Sequence, residues 1–497
     1  MSVLPRVRFS PTPSLGFPTA FFLALGLVAA GCGSLADDLL CADHDCEFTK
    51  AEWRRVESLA NLGDPELDPS NKYLKDPTAI HLGHLLYYDR DLSGVASWVD
   101  VLGNPAPSHR AEKGAPMKIS CATCHDPAHA GADITSRPGH VSIGAGSYDV
   151  NGQQTLNAAH YKLLYWNGRA DSLWSQAAQV MESGVSMNGN RMAIVRTVAA
   201  KYRGLYEALF RDKAGNLEPL PDLPEALGGG KPGDAAFEAL QEADRAVINR
   251  AYTNIAKAIG AYEWELTSRD AAFDRYVNGD KSRLGPAAVR GLKLFTGRAS
   301  CIDCHRTPLF SDGDFHNIGV PQRGAGVPTV EQCPAGSGKC DCISVKTVGD
   351  KMVTGQTCLP WGAFAGLSRL AGATGSTPFR RDGEFSDLDP AAKAELTAHY
   401  QAQVVPDGAT IGAWRTPSLR DVALTAPYMH DGLYQTLDQV IGHYDVGGTA
   451  ESSGRKAVEL SPLLLSAQDR SDLAEFLRSL TGHPTSPELH LPPAGVP

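Results

Sequence analysis

Two short runs carry the strongest chemical signal: Cys121-Ala-Thr-Cys124-His125 and Cys301-Ile-Asp-Cys304-His305. Two cysteines separated by two residues and followed at once by histidine have the spacing of a c-type haem attachment site. Each thiol adds to a haem vinyl group, and the adjacent histidine turns under the ring to bind iron through its imidazole. A redox dithiol or half of a zinc site is the competing reading. Each run is complete with its histidine, however, and no second Cys-x-x-Cys stands nearby to close a zinc site. The runs therefore predict two covalently bound haem c groups. Cys121, Cys124, Cys301 and Cys304 attach them, and His125 and His305 bind the irons.

The chain of 497 residues is long enough for two or three domains, and its 42% hydrophobic and 21% charged residues fit a soluble globular protein. The net charge is −10, and no Lys/Arg run is present, which argues against nucleic acid as a partner. Arg6 and Arg8 precede an apolar run, Phe21 to Ala30, with the pattern of a signal peptide and too short to span a membrane. The run ends Val28-Ala-Ala-Gly31-Cys32, which resembles a bacterial lipoprotein cleavage site with Ala29 where leucine is usual. Residues 1–32 are thus expected to be a signal peptide, with a possible lipid anchor on Cys32 and ordinary cleavage nearby as the alternative. Either route implies export to the periplasm or cell envelope, where haem c is attached and disulfides persist. Of 11 cysteines, one is the lipidation candidate and four hold haem, leaving Cys41, Cys46, Cys333, Cys340, Cys342 and Cys358. An even remainder suggests disulfides. Cys41–Cys46 would close a small loop, and the pairing of the other four stays open.

The elements that must position these runs read as helices joined by long loops. Residues 33–75 read as a polar tether with a short helix. His81 and His84 lie in a helical stretch and read as surface or packing histidines. Residues 126–160 are rich in glycine and suit a segment wrapping a haem. Asp171 is a plausible N-cap for a helix with the stripe Leu173, Ala177, Val180, Met181. Residues 216–234 read as a loop. Ile248, Ala251, Ile255, Ile259, Tyr262 and Leu266 give one buried face of a helix over about 240–267. Residues 269–284 read as a hinge, 286–296 as a helix, and 321–410 as an irregular insertion holding the cysteine cluster. Helices follow at 436–444 and from Ser466 to Leu480, the last with a Ser466-x-x-Asp469 cap and Gly482 as its stop. The expected fold is mostly α, with two related haem domains, 76–268 and 269–486, and extensive loops.

Six segments carry a resemblance: LGHLLYYDRDLSG (82–94), SCATCHDP (120–127), YWNGRADSL (165–173), LFTGRASCIDCH (294–305), FHNIGVP (315–321) and RTPSLRDVALTAPYMHDG (415–432). Together they resemble the bacterial di-haem cytochrome c peroxidases, which include MauG-type enzymes. The resemblance implies two cytochrome-c-like haem domains with a calcium ion between them, an N-terminal haem that meets hydrogen peroxide and a C-terminal haem that relays electrons. It places Trp166 between the haems as an electron path, with an ordinary core aromatic as the competing reading. Asn151 and the carbonyls of Thr425 and Pro427 fall at the calcium site, where hard oxygen ligands suit that ion.

Three departures from the family pattern bear on function. The segment that usually carries a histidine ligand to the N-terminal haem reads Ser142-Ile-Gly144-Ala145. Alanine cannot bind iron, so that haem is expected to be five-coordinate, with His140 as the alternative ligand. The usual methionine ligand of the C-terminal haem, fourteen residues after His430, is Tyr444, the MauG-type pattern, with His443 as the alternative. A tyrosinate favours high-valent over ferrous iron, whereas methionine raises the potential. The usual acid/base glutamate is Ser186. Gln176 is retained and could hold peroxide or water. Glu182, one helical turn earlier, is the candidate replacement, with a solvated helix residue as its competing reading.

The resemblance thus implies an exported di-haem peroxidase-like oxidoreductase of MauG type. Hydrogen peroxide would bring its haems to a high-valent state, and they would oxidise a partner, expected to be a tryptophan in an exported protein. A conventional cytochrome c peroxidase, and a non-catalytic electron-transfer or sensor protein, are the alternatives. The second follows if the loss of the glutamate at Ser186 abolished turnover.

Overall fold

The apolar stripe beginning at Ile248 is realised as a 24-residue helix, Glu242–Glu265, with one face fully buried. The structure is a computed structural model. It describes residues 47–101, 103–135, 141–148, 150–320, 341–344, 356–359, 363–372, 377–403, 410, 412–449 and 455–494. The signal-peptide region, Cys32, Cys41, Cys46, His140, Cys333 and Cys340 lie outside the described residues. The chain divides into two units, residues 1–49 and residues 50–497.

The second unit is mostly helical. In chain order its helices are α1 (Lys50–Glu57), α2 (Pro77–Tyr88), α3 (Cys121–Cys124), α4 (Leu173–Glu182), α5 (Arg191–Leu209), α6 (Ala235–Glu238) and α7 (Glu242–Glu265). These are followed by α8 (Ala272–Val277), α9 (Pro286–Thr296), α10 (Ala363–Leu370), α11 (Pro390–Gln403), α12 (Leu437–Asp445) and α13 (Ala467–Arg478). Strands are short: β1 (Ser268–Arg269), β2 (Phe315–His316), β3 (Asp341–Ser344), β4 (Gln356–Leu359), β5 (Trp414–Arg415) and β6 (His483–Pro484). They pair antiparallel as β1 with β6, β2 with β5 and β3 with β4. The β3–β4 register sets the backbone of Cys342 opposite that of Cys358. Among the described residues no helix is long and apolar enough to cross a membrane.

Two helix pairs anchor the unit. In the first, α2 lies against α7, and α4 and α5 pack on the same long helix. A side chain at Gly83 would collide with the Ala258 backbone, so only glycine permits that approach. In the second, α9 lies against α13, and Gly291 meets the Asp472 backbone in the same way. Phe273, Phe295 and Phe476 surround Phe310 there, with ring centroids 5.3, 5.8 and 6.2 Å from it. Each such aromatic pair contributes about 0.5–1.5 kcal/mol beyond its burial.

Several local expectations are corrected. From Lys50 onward the segment expected as a tether is packed: Trp53, Val56, Leu59 and Tyr73 are buried, and the Arg55 guanidinium donates to the Thr296 carbonyl at 3.2 Å. The expected hinge at 269–284 holds α8. Its buried Asp274 pairs with buried Arg420 through two hydrogen bonds of 2.8 and 3.0 Å, so the segment is clamped. The insertion at 321–410 is not irregular throughout, since it contains α10 and α11. Asp389 caps α11 by accepting from the N–H groups of Ala391 and Ala392. The N-cap of α4 is Ser172, whose hydroxyl accepts from Ser175 N–H at 3.2 Å. Asp171 instead accepts from the Arg381 N–H at 2.7 Å and the Tyr400 hydroxyl at 2.9 Å, tying α11 to the start of α4.

Candidate functional site

Each Cys-x-x-Cys-His run sits at the wall of its own cavity. Cys121, Cys124 and His125 line the N-terminal one, with about 1260 Å³ of empty space, and Cys301, Cys304 and His305 line the C-terminal one, with about 1410 Å³. The runs form tight turns because His125 N–H returns to Cys121 O and His305 N–H to Cys301 O, each at 2.9 Å. Both imidazoles are oriented alike. Nδ1 of His125 bonds the Gly131 carbonyl and Nδ1 of His305 bonds the Phe310 carbonyl, each at 2.9 Å. A carbonyl acceptor favours the proton on Nδ1 and makes Nε2 the lone-pair nitrogen, the tautomer of an iron-binding histidine.

Trp166 and Arg415 line both cavities. Trp166 is buried and its indole N–H donates to the Asn151 carbonyl at 2.9 Å. Arg415 is buried with its guanidinium 3.5 Å above the Tyr161 ring, and its Nη1 has no protein partner. A buried guanidinium with an idle donor needs an anion. A haem propionate is such an anion, so the two cavities, their thiols, their imidazoles and this arginine fit two haems. On the C-terminal side His430 stacks on Trp414 with centroids 4.1 Å apart, and its ring lies 6.4 Å from that of Trp166. Burial pushes the His430 imidazole down to about 3, so it stays neutral.

The chain belongs to the di-haem cytochrome c peroxidase family. Residues 77–282 match the family model described as di-haem cytochrome c peroxidase. A cytochrome-c peroxidase IdrP1 of Denitromonas iodatirespirans is 30% identical over 417 residues, covering 83% of each chain. The methylamine utilization protein MauG of Methylorubrum extorquens is 26% identical over 90% of this chain and 88% of its own. A solved structure of a MauG-like protein associated with microbial copper homeostasis shares the fold, with a TM-score of 0.51 and 22% identity over 87% of this chain and 95% of that one. Family membership makes the protein a peroxidase-like oxidoreductase with two haems as cofactors.

Against that family pattern the remaining candidates sort by position. Tyr444 lines the C-terminal cavity. Burial, then the thiols of Cys304 and Cys301, push its phenol above the ordinary range, so it keeps its proton until a cation displaces it. His443 is tied off: its Nε2 bonds the Ile318 carbonyl at 2.8 Å and its Nδ1 the Tyr434 hydroxyl at 3.0 Å. Neither nitrogen is left to bind iron. In the N-terminal cavity Gln176 and Ser186 both line the wall. Ala145 packs with Ala96, Met117 and Ile119.

Glu182 does not join this site. Its carboxylate is held by Arg191 through bonds of 2.9 and 2.7 Å in a largely buried pair that lines a different cavity. The position one turn before Ser186 points to the Arg191 side of α4, which the four-residue spacing alone did not reveal. Asn151 and Pro427 are brought together, with the amide of Asn151 2.7 Å from the Pro427 carbonyl and its Oδ1 buried without a partner. Thr425 lies two residues earlier in the same segment. His84 is a packing residue, stacked on Tyr262 at 4.9 Å and bonded to the Leu491 carbonyl.

Three cavity residues escaped the sequence reading. Arg415 stood inside a quoted segment, but its shared position depends on how the two halves meet. His430 served there only as a counting mark for Tyr444. Glu263 lies one helical turn beyond Ile259 on the buried face of α7, and an acid on an apolar stripe is a signal that could have been read.

Proposed function

We propose that this is an exported peroxidase of MauG type, with haem c attached at Cys121/Cys124 and Cys301/Cys304, that oxidises a partner protein at a tryptophan. The observation that carries the reading is Tyr444 in the wall of the C-terminal cavity while both nitrogens of His443 are engaged elsewhere. The bound haems would supply the peroxide and electron-transfer chemistry. The chain's own part is positioning. His125 and His305 present Nε2 to the cavities because their Nδ1 atoms are held by carbonyls. Arg415 offers its idle Nη1 to a propionate. Tyr444 would hold the iron of the C-terminal haem as a phenolate, a ligand that would lower its potential relative to methionine. Gln176 would offer its amide to peroxide in the N-terminal cavity, and Ala145, at the position where the family usually carries a histidine, has no atom that binds iron. Trp166 is the aromatic bridge between the two halves. Asn151, Thr425 and Pro427 are proposed to hold calcium, and Asn151 Oδ1, buried and unpartnered, supports that assignment. Export and a lipid anchor at Cys32 rest on the sequence pattern alone.

One observation favours a second reading, a di-haem electron-transfer or sensor protein without turnover. Ser186 replaces the acid, and Glu182 is engaged with Arg191. Peroxide titration of the diferric protein separates the two. The MauG-type reading predicts that one equivalent of peroxide changes the spectra of both haems and that Tyr444→Met confines the change to the N-terminal haem. No spectral response of the wild-type protein to peroxide would favour the second reading.

A further inference from the structure

The N-terminal haem cavity contains one carboxyl group among its described lining residues, that of Glu263. Glu263 is 7% exposed, and its Oε2 is buried with no hydrogen-bond partner. A buried ion without a counter-charge is so unfavourable that an acid placed there keeps its proton. The ionisable groups that feel its charge are Tyr87 on α2, Tyr262 on α7 and Cys121 on α3. Burial holds both tyrosines in the neutral phenol form, and Cys121 would be a thioether once haem is attached. Among the described residues, the elements that pack most heavily on α7 besides α2, which are α4, α5 and the turn Ala158–His160, add no cation to this set, and neither does the segment Pro487–His490, whose Leu489 carbonyl accepts from Tyr262, nor Arg415 elsewhere in the cavity wall; α4 lines the cavity there with Ala177 and Met181. Burial alone pushes the Glu263 carboxyl up to about 8. A haem in this cavity changes charge by one unit on oxidation or reduction, and Glu263 is the acid in its wall whose charge can answer.

We propose that Glu263 is a proton-exchanging residue of the N-terminal haem cavity, holding its proton when the iron is ferrous and releasing it when the iron is ferric. The inference rests on the assignment of a haem to Cys121, Cys124 and His125. The balance is one electron and one proton. Ferric haem with the Glu263 carboxylate takes an electron from the reductant and a proton from water, giving ferrous haem with the Glu263 carboxylic acid. Oxidation reverses both. The group acts on potential and protonation, and it is distinct from the acid missing at Ser186.

The test is mediated potentiometry of the intact holoprotein, following the N-terminal haem by its absorption across about pH 6–10. The potential is expected to fall toward ~59 mV per pH unit, one proton for each electron. Glu263→Gln should flatten the slope, and Glu263→Asp should restore much of it. An unchanged slope in Glu263→Gln would assign the linkage to the haem propionates and overturn the proposal, as would a wild-type potential independent of pH. Redox-difference infrared spectroscopy of the wild-type protein needs no variant. A carboxylic-acid carbonyl band should appear on reduction, and its absence also overturns the proposal. A denatured mass lacking haem at Cys121 and Cys124 would defeat the haem assignment itself, a failure distinct from a flat potential in a loaded protein.

Discussion

The Arg415 N–H donates to the Trp166 carbonyl at 2.8 Å, and these two residues form wall to both haem cavities. This main-chain bond ties the backbone that carries the indole, in the N-terminal half, to the backbone that carries the guanidinium, in the C-terminal half. One side of this junction carries the stacked pair Trp414 and His430, and the other carries the Asn151 carbonyl that accepts the Trp166 indole N–H. Under the proposed function, an aromatic group so held would be a fixed step between the two haems.

Trp166→Phe is therefore expected to leave both haems attached while slowing their communication. The substitution keeps a ring but removes the indole N–H and its bond to Asn151. Transfer between the haems should slow on the order of tenfold, equivalent to ~1.4 kcal/mol of barrier. Stopped-flow spectra after peroxide addition would show the C-terminal haem lagging the N-terminal one. Unchanged synchrony would remove Trp166 from the path.

The clamp between α8 and the C-terminal half gives a stability prediction. Asp274→Ala would strand the buried Arg420 guanidinium, which now makes two bonds to that carboxylate. Removing one partner of a buried pair costs about 3–5 kcal/mol. Chemical denaturation of the holoprotein should show a loss of that size. A loss below ~1 kcal/mol would mean that the carbonyls of Pro308 and Leu59, which also accept from Arg420, suffice.

Asp171 gives a pH prediction. Burial raises its carboxyl to about 6, outweighing the Arg381 N–H and Tyr400 hydroxyl that donate to it. The folded protein then holds a proton that the unfolded chain releases near 3.8. The stabilisation is full below about pH 3.8 and falls as pH rises toward about 6, above which it stays lost. The shift is about two pH units, on the order of 3 kcal/mol. Asp171→Asn should flatten stability across that window. A wild-type profile that rises with pH because of this residue would reverse the sign and contradict the account.

The legible parts of the fold were those encoded locally. The stripe of α7 lies within a single segment, α9, α12 and α13 form where helices were expected, and the Ser466/Asp469 box forms as its residue types imply. The two Cys-x-x-Cys-His runs found their cavities because a turn of five residues carries its own geometry. What escaped depends on distant partners. Asp171 has the right residue type for a cap, but Ser172 takes that role because Arg381 and Tyr400 claim the carboxylate. Glu182 has the right spacing for the missing acid, but Arg191 holds it away from the cavity. The helices α5, α10 and α11 were not expected from the sequence, and α11 has a single buried residue, Tyr400.

The proposed function requires an N-terminal haem open at iron beside a C-terminal haem bound by Tyr444. Electron paramagnetic resonance of the untreated diferric protein tests it most directly. The account predicts one axial high-spin ferric signal from the haem on His125, because Ala145 offers no ligand. It also predicts a separate low-spin signal from the haem on His305, altered in Tyr444→Met. Two low-spin haems in the resting protein, or a C-terminal signal indifferent to Tyr444→Met, would contradict it.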